Sequence, residues 1–165
     1  MSQKKRILLA VGIVLILSGA MLAIDHYRGQ RLAAELDASL EPGDIPIYWD
    51  GLLKAAFSPK DIENLPPASF VDAEKGKTQE GWMLKDVLLV YFPERQFRDD
   101  TVIKVISTSR NKSADLEWQE VANPDNMVMF DLSGRGTLKL VSLLERLDER
   151  DEWVQDVDRI EVSSK

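Results

Sequence analysis

The stretch "DLSGRGTLKLV", residues 131–141, decides between two kinds of fold. Two glycines bracket Arg135, and an alternating apolar and polar run follows. A phosphate-cradling loop places its glycines directly before a helix, where backbone N–H groups and the helix dipole face the anion. Here the glycines lie between "MVMFDL" and "TLKLV", two strand-like runs. Residues 133–136 are therefore expected to form a hairpin tip, with glycine supplying the positive φ that such turns need. In the returning strand, alternation puts Leu138, Leu140 and Ser142 on one face. Thr137, Lys139, Val141 and Leu143 fall on the other.

The pieces on either side share this β-rich character. Downstream, "ERDEWVQDV" reads as a short acidic helix and "DRIEV" as a last strand. Upstream, "TVIKVIST" is a β-branched strand, "SRNKSAD" a polar turn and "LEWQEV" an alternating strand. "MLKDVLLVYF" places Leu84, Val87, Leu88 and Tyr91 on one face, which predicts a core helix. "ASFVDAEKGKTQEGW" reads as a hairpin with Lys75, Gly76 and Lys77 at its tip. Before it, Ser58 suits an N-cap, Pro59 a first helical position and Asp61 the first turn. "IPIYWDGLLKAAF", residues 45–57, reads as short extended pieces around a turn. Short strands interspersed with short helices predict a mixed α+β domain rather than βαβ units.

The N-terminal region differs. "ILLAVGIVLILSGAMLAI", residues 7–24, carries no charge over 18 positions. As a helix it would span roughly 27 Å, close to the ~30 Å hydrocarbon core of a bilayer. Lys4, Lys5 and Arg6 precede it, which favours a cytoplasmic N-terminus. Cleavage near Ser18-Gly19-Ala20 is the rival reading. The long apolar run, continued by helical spacing in "QRLAAELDASL", favours an uncleaved anchor. Leu32, Leu36 and Leu40 give a helix over 30–40, stopped by "EPG". The expected organisation is a basic cytoplasmic tail at 1–6, a transmembrane anchor at 7–24, a stalk at 25–43 and an extracytoplasmic domain at 44–165. The expected place is a bacterial inner membrane, crossed once, with the C-terminal domain periplasmic.

Composition narrows the chemistry. The 165 residues include no Cys, so thiolate metal sites, disulfides and cysteine nucleophiles are excluded. The single His, His26, adjoins the apolar run, which leaves the domain without a His-based triad. The net charge is −7, and from Asp25 onward 28 acidic residues face 18 basic ones. Such a balance disfavours nucleic acid, which needs clustered Lys and Arg.

The run "FSPKDIENLPPASFVDAEKGKTQEGWMLKDVL" resembles the start of the molybdopterin-binding domain of sulfite-oxidase-type oxidoreductases. Leu65-Pro66, Gly81-Trp82, Leu84, Asp86 and Leu88 carry the likeness. "EWVQDVDRIEV" is similar to the closing signature of that family, with Trp153, Val157, Ile160 and Val162 in register. The likeness covers roughly residues 50–163 and implies a β-rich sulfite-oxidase-like fold. Catalytic members ligate molybdenum through a cysteine thiolate and hold the pterin phosphate with basic and histidine residues. This chain has no such Cys. The resemblance therefore implies a non-redox relative without molybdopterin or another cofactor.

Arg110, Lys112 and Arg135 are the basic residues on predicted loops, where the family's cations face the phosphate. They are the candidates for a residual anion site. Tyr48 and Trp49 are the candidates for an exposed partner contact. Asp148, Glu149, Asp151 and Glu152 lack EF-hand spacing and, interleaved with Arg146 and Arg150, read as a solvated face. The expected function is a non-catalytic binding module contacting a membrane signalling partner, such as a sensor kinase or cyclase, or a small ligand. The alternatives are an accessory molybdopterin subunit and a structural envelope protein.

Overall fold

The computed structural model describes residues 3–72, 74–132 and 135–164, with side chains from residue 12 onward. Helix α1 runs without a break over Gln3–Asp37. Its 35 residues extend about 52 Å at ~1.5 Å per residue. Ile13, Val14, Leu15, Ile16, Leu17, Met21, Leu22 and Ile24 are all exposed, so the helix is apolar around its circumference here. Among the described residues no helix is long and apolar enough to cross a membrane. The expected anchor at 7–24 lies in part outside them, because the side chains of 7–11 are not described. There is no separate stalk helix at 30–40. The stalk continues α1 and ends at Asp37, and Leu32 faces solvent. Leu36 and Leu40 of the expected stripe are half-buried, and within α1 Gly29 and Ala33 are half-buried as well; the helix contacts the strand Leu52–Phe57.

The rest of the chain is mixed α+β, as expected, and forms two sheets. Strands β1 (Ile45–Trp49) and β2 (Leu52–Phe57) form a hairpin around Asp50 and Gly51, at φ 48° and 78°. Both φ values are positive, as a two-residue turn of Asp-Gly type requires. A 3₁₀ turn, Pro59–Ile62, follows Ser58. The Asp61 carboxylate accepts the Ser58 N–H at 2.7 Å and its hydroxyl at 2.9 Å. Strands β3 (Pro67–Val71) and β4 (Thr78–Met83) make the second hairpin. Helix α2 (Leu84–Tyr91) buries Leu84, Val87 and Leu88, the face expected from their spacing.

Strand β5 (Val102–Ser107) pairs antiparallel with β6 (Lys112–Glu117). The sequence expectation fails here in part. "LEWQEV" is not a strand: β6 ends at Glu117, and Trp118–Ala122 form helix α3. The Glu120 carboxylate accepts the Glu117 N–H at 2.8 Å and starts that helix. Strands β7 (Met129–Leu132) and β8 (Leu138–Val141) pair antiparallel with Leu132 opposite Leu138. The hairpin expected from "DLSGRGTLKLV" is thus present, although Ser133 and Gly134 at its tip lie outside the described residues. Residues 149–157 form no helix, against expectation. They run as turns, and Val154 bridges to Leu140. Strand β9 (Arg159–Ser163) completes the set.

The first sheet has the order β2-β1-β9-β5-β6, and the second β3-β4-β7-β8. The β1–β9 pair is parallel; β9 pairs antiparallel with β5. One core joins Ile47, Phe57, Ile103 and Ile160 of the first sheet to Phe130, Leu138 and Leu140 of the second and to α2. A smaller cluster of Phe70, Met129, Val141 and Trp153 collects the alternate residues of β3, β7 and β8. The second sheet is therefore covered on both faces.

Candidate binding surfaces

The three loop cations do not share one pocket. Asp156 sits in the left-handed region, at φ 56°, and turns its carboxylate toward the β7–β8 hairpin. It accepts from Arg110 Nε at 2.7 Å and from the Thr137 hydroxyl at 2.7 Å. Arg135 Nη2 lies 3.6 Å away. The Thr137 hydroxyl, then the Arg110 guanidinium, hold the Asp156 carboxyl below its ordinary range, with Arg135 adding to them. Lys112 turns elsewhere and donates to the carbonyl of Asp151. The structure thus brings Arg110 and Arg135 together around an internal carboxylate. An incoming anion would have to displace Asp156. The adjoining cavity, about 300 Å³, has Asp44, Asp156 and Asp158 as its charged lining. That field disfavours an anion. Among the described residues no group of three or more His, Cys, Asp or Glu could hold a metal ion.

Tyr48 and Trp49 are neighbours on a strand, and they serve opposite faces of it. Tyr48 lies under the Arg159 guanidinium, 4.1 Å from its ring centre. Trp49 packs at the margin of the main core, 5.1 Å from Phe92 and 5.0 Å from Phe97. Phe97 in turn stacks on Trp118 at 4.0 Å. The Trp49 indole N–H donates to Ser164 Oγ at 3.3 Å. Half of the Trp49 ring is therefore structural, and the rest borders a cavity of about 510 Å³ with Lys54, Phe92, Gln96 and Ser164. Lys54 and Gln96 were not singled out by sequence, because Lys54 is a single polar residue in an apolar run and Gln96 one of several polar residues after Pro93.

A buried polar network was also missed. Asp72 is 1% exposed and Gln79 3% exposed. Asp72 accepts the Lys75 N–H at 2.7 Å and the Gln79 amide at 3.1 Å. Gln79 Oε1 accepts from Lys139 at 2.9 Å, and Lys139 pairs with Asp131 at 2.8 Å. The Lys75 N–H holds the Asp72 carboxyl below its ordinary range, against desolvation. The Ser58 N–H does the same for Asp61. A carboxyl with a depressed folded pKa stabilises the fold above its unfolded value, about 3.9, and loses that contribution as pH falls through the folded value. Unfolding midpoints in urea should hold steady down to about pH 5 and then drop as Asp61, Asp72 and Asp156 take protons. Asp156→Asn should lower the midpoint at neutral pH and flatten the acid slope. An unchanged slope would remove Asp156 from this set.

No protein-family model and no curated protein matches the chain. The likeness to sulfite-oxidase-type domains therefore rests on the residues quoted for it. Of these, Leu84, Leu88, Trp153, Val157, Ile160 and Val162 are buried.

Proposed function

We propose that the chain is a membrane-tethered, non-catalytic binding module with a sulfite-oxidase-like domain held outside the cytoplasm. The observation that carries this reading is α1. Its residues 13–24 expose apolar side chains on every side, with no cover from the domain. A helix apolar all round is buried in something, and a bilayer is what 18 uncharged residues fit. The same helix continues unbroken to Asp37 and docks on β2 through Gly29, Ala33 and Leu36. A load on the domain would therefore reach the membrane segment through one rigid element. That coupling suits a module that reports to a membrane signalling partner such as a sensor kinase or cyclase.

Paired reporter fusions after residue 165 test the topology. An export-dependent phosphatase should be active and a cytoplasm-dependent fluorescent protein dark. Deleting residues 7–24 should release the domain from the membrane fraction. A full chain that stays in the soluble fraction, or a reporter active only in the cytoplasm, overturns the reading.

A further inference from the structure

We propose that the cavity beside Trp49 binds the phosphate headgroup of a lipid in the bilayer that holds α1; this rests on the membrane reading above. The packing of α1 on β2 fixes which end of the domain faces the membrane. A Cβ built on Gly29 would stand 4.0 Å from Leu52 Cδ1 and 4.0 Å from Lys54 Nζ. Gly29 lies five residues beyond Ile24, the last residue of the uncharged run. At ~1.5 Å per residue that is about 7.5 Å along the helix. The headgroup layer is about 5–7.5 Å deep on each side of a ~30 Å hydrocarbon core, so Gly29 reaches its outer edge. Lys54, which packs against Gly29, and the cavity it lines thus stand at the outer side of the headgroup layer.

The lining has the matching chemistry. Lys54 is its charged member, and among the described residues no ion pair is formed by Lys54. Its ammonium would meet a lipid phosphate, with the Gln96 amide and Ser164 hydroxyl as further donors. Trp49, backed by the edge of the buried Phe92, walls the cavity and offers aromatic surface to the glycerol side of the headgroup. Tryptophan with a polar N–H is suited to this depth, where one side is apolar and the other wet. Trp49, which the sequence offers as a protein contact, is on this reading a lipid contact.

The test uses the full chain in nanodiscs of phosphatidylcholine, with or without anionic phosphatidylglycerol. Lipids brominated near the headgroup end of the acyl chain should quench part of the tryptophan emission. That part should vanish in Trp49→Phe, which keeps an aromatic ring against Phe92. Retention of phosphatidylglycerol through detergent extraction should fall about fivefold in Lys54→Gln. If protease protection shows that the helix spans the bilayer but Trp49 is not quenched, the headgroup site is overturned and the anchor stands. If protection shows no spanning helix, the membrane reading falls and this inference with it. Displacement of the retained lipid by inorganic phosphate supports a phosphate-reading site. Phosphate binding in detergent that phosphatidylglycerol does not compete would assign the cavity to a free anion and overturn the lipid source.

Discussion

Gly81→Ala is expected to abolish stable folding. A Cβ at position 81 would stand 1.7 Å from the carbonyl oxygen of Phe130 and 2.7 Å from its carbon. Both are backbone atoms of the partner strand, where Gly81 lies opposite Asp131. No rotamer change relieves that clash; the β4–β7 pairing itself must open. Overpacking of ordinary cores costs about 1–3 kcal/mol, and a clash with paired backbone belongs at or above the top of that range. Against a total stability of about 5–15 kcal/mol, such a loss leaves little soluble protein. Gly76→Ala is the control. Gly76 lies in the left-handed region, φ 61°, where Gly81 does not, and has open space around it. It should cost roughly 1–2 kcal/mol from backbone strain alone. Urea unfolding of both variants, with the soluble yield, separates the two. A Gly81→Ala protein as stable as Gly76→Ala would show that the strand pair can spread.

Trp153→Ala should have the second largest effect, about 3–5 kcal/mol. The side chain is 2% exposed and fills the smaller core on the far side of β7 and β8. Its indole N–H donates to the carbonyl of Leu147 at 3.0 Å. Lys139 Nζ lies 4.7 Å and the Arg150 guanidinium 5.6 Å from its ring centre. Truncation leaves a cavity and removes the cover from two cations that also meet the Asp72 network. Trp153→Phe keeps an aromatic ring but loses the hydrogen bond and part of the indole volume, at about 1–3 kcal/mol. Near-UV circular dichroism with urea melts reads both. Equal losses in the two variants would mean that the hydrogen bond, and not the ring, holds this cluster.

Much of the fold was legible where one period dominated. The β7–β8 hairpin showed itself because glycine stood between two alternating runs, and α2 because Leu84, Val87 and Leu88 recur at helical spacing. The misreadings come from segments that satisfy two patterns. "LEWQEV" alternates, yet Trp118, Val121 and Ala122 also follow helical spacing, and the Glu120 carboxylate on the Glu117 N–H settles the matter locally. The acidic stretch 149–157 has helix-forming composition, yet its adjacent Trp153 and Val154 bury in two different clusters. Successive side chains on opposite sides demand an extended backbone. The candidate surfaces were less legible, since their partners are remote in sequence. Arg110 meets Asp156 across 46 residues, and Trp49 meets Ser164 across 115. Charge type could be read locally, but pairing could not.

The position of β9 has a consequence for how the protein is made. The ninth strand of the described chain lies in the middle of the first sheet, between β1 and β5. Synthesis runs from the N-terminus, so β1 and β5 leave the ribosome long before the strand that joins them. Until Arg159–Ser163 emerge, the β2–β1 and β5–β6 hairpins each present an unsatisfied edge. The nascent chain passes through a stage that is open to chaperones and proteases and prone to mispairing. A chain lacking Arg159–Ser163 would stay in that stage, because the first sheet cannot close without its central strand.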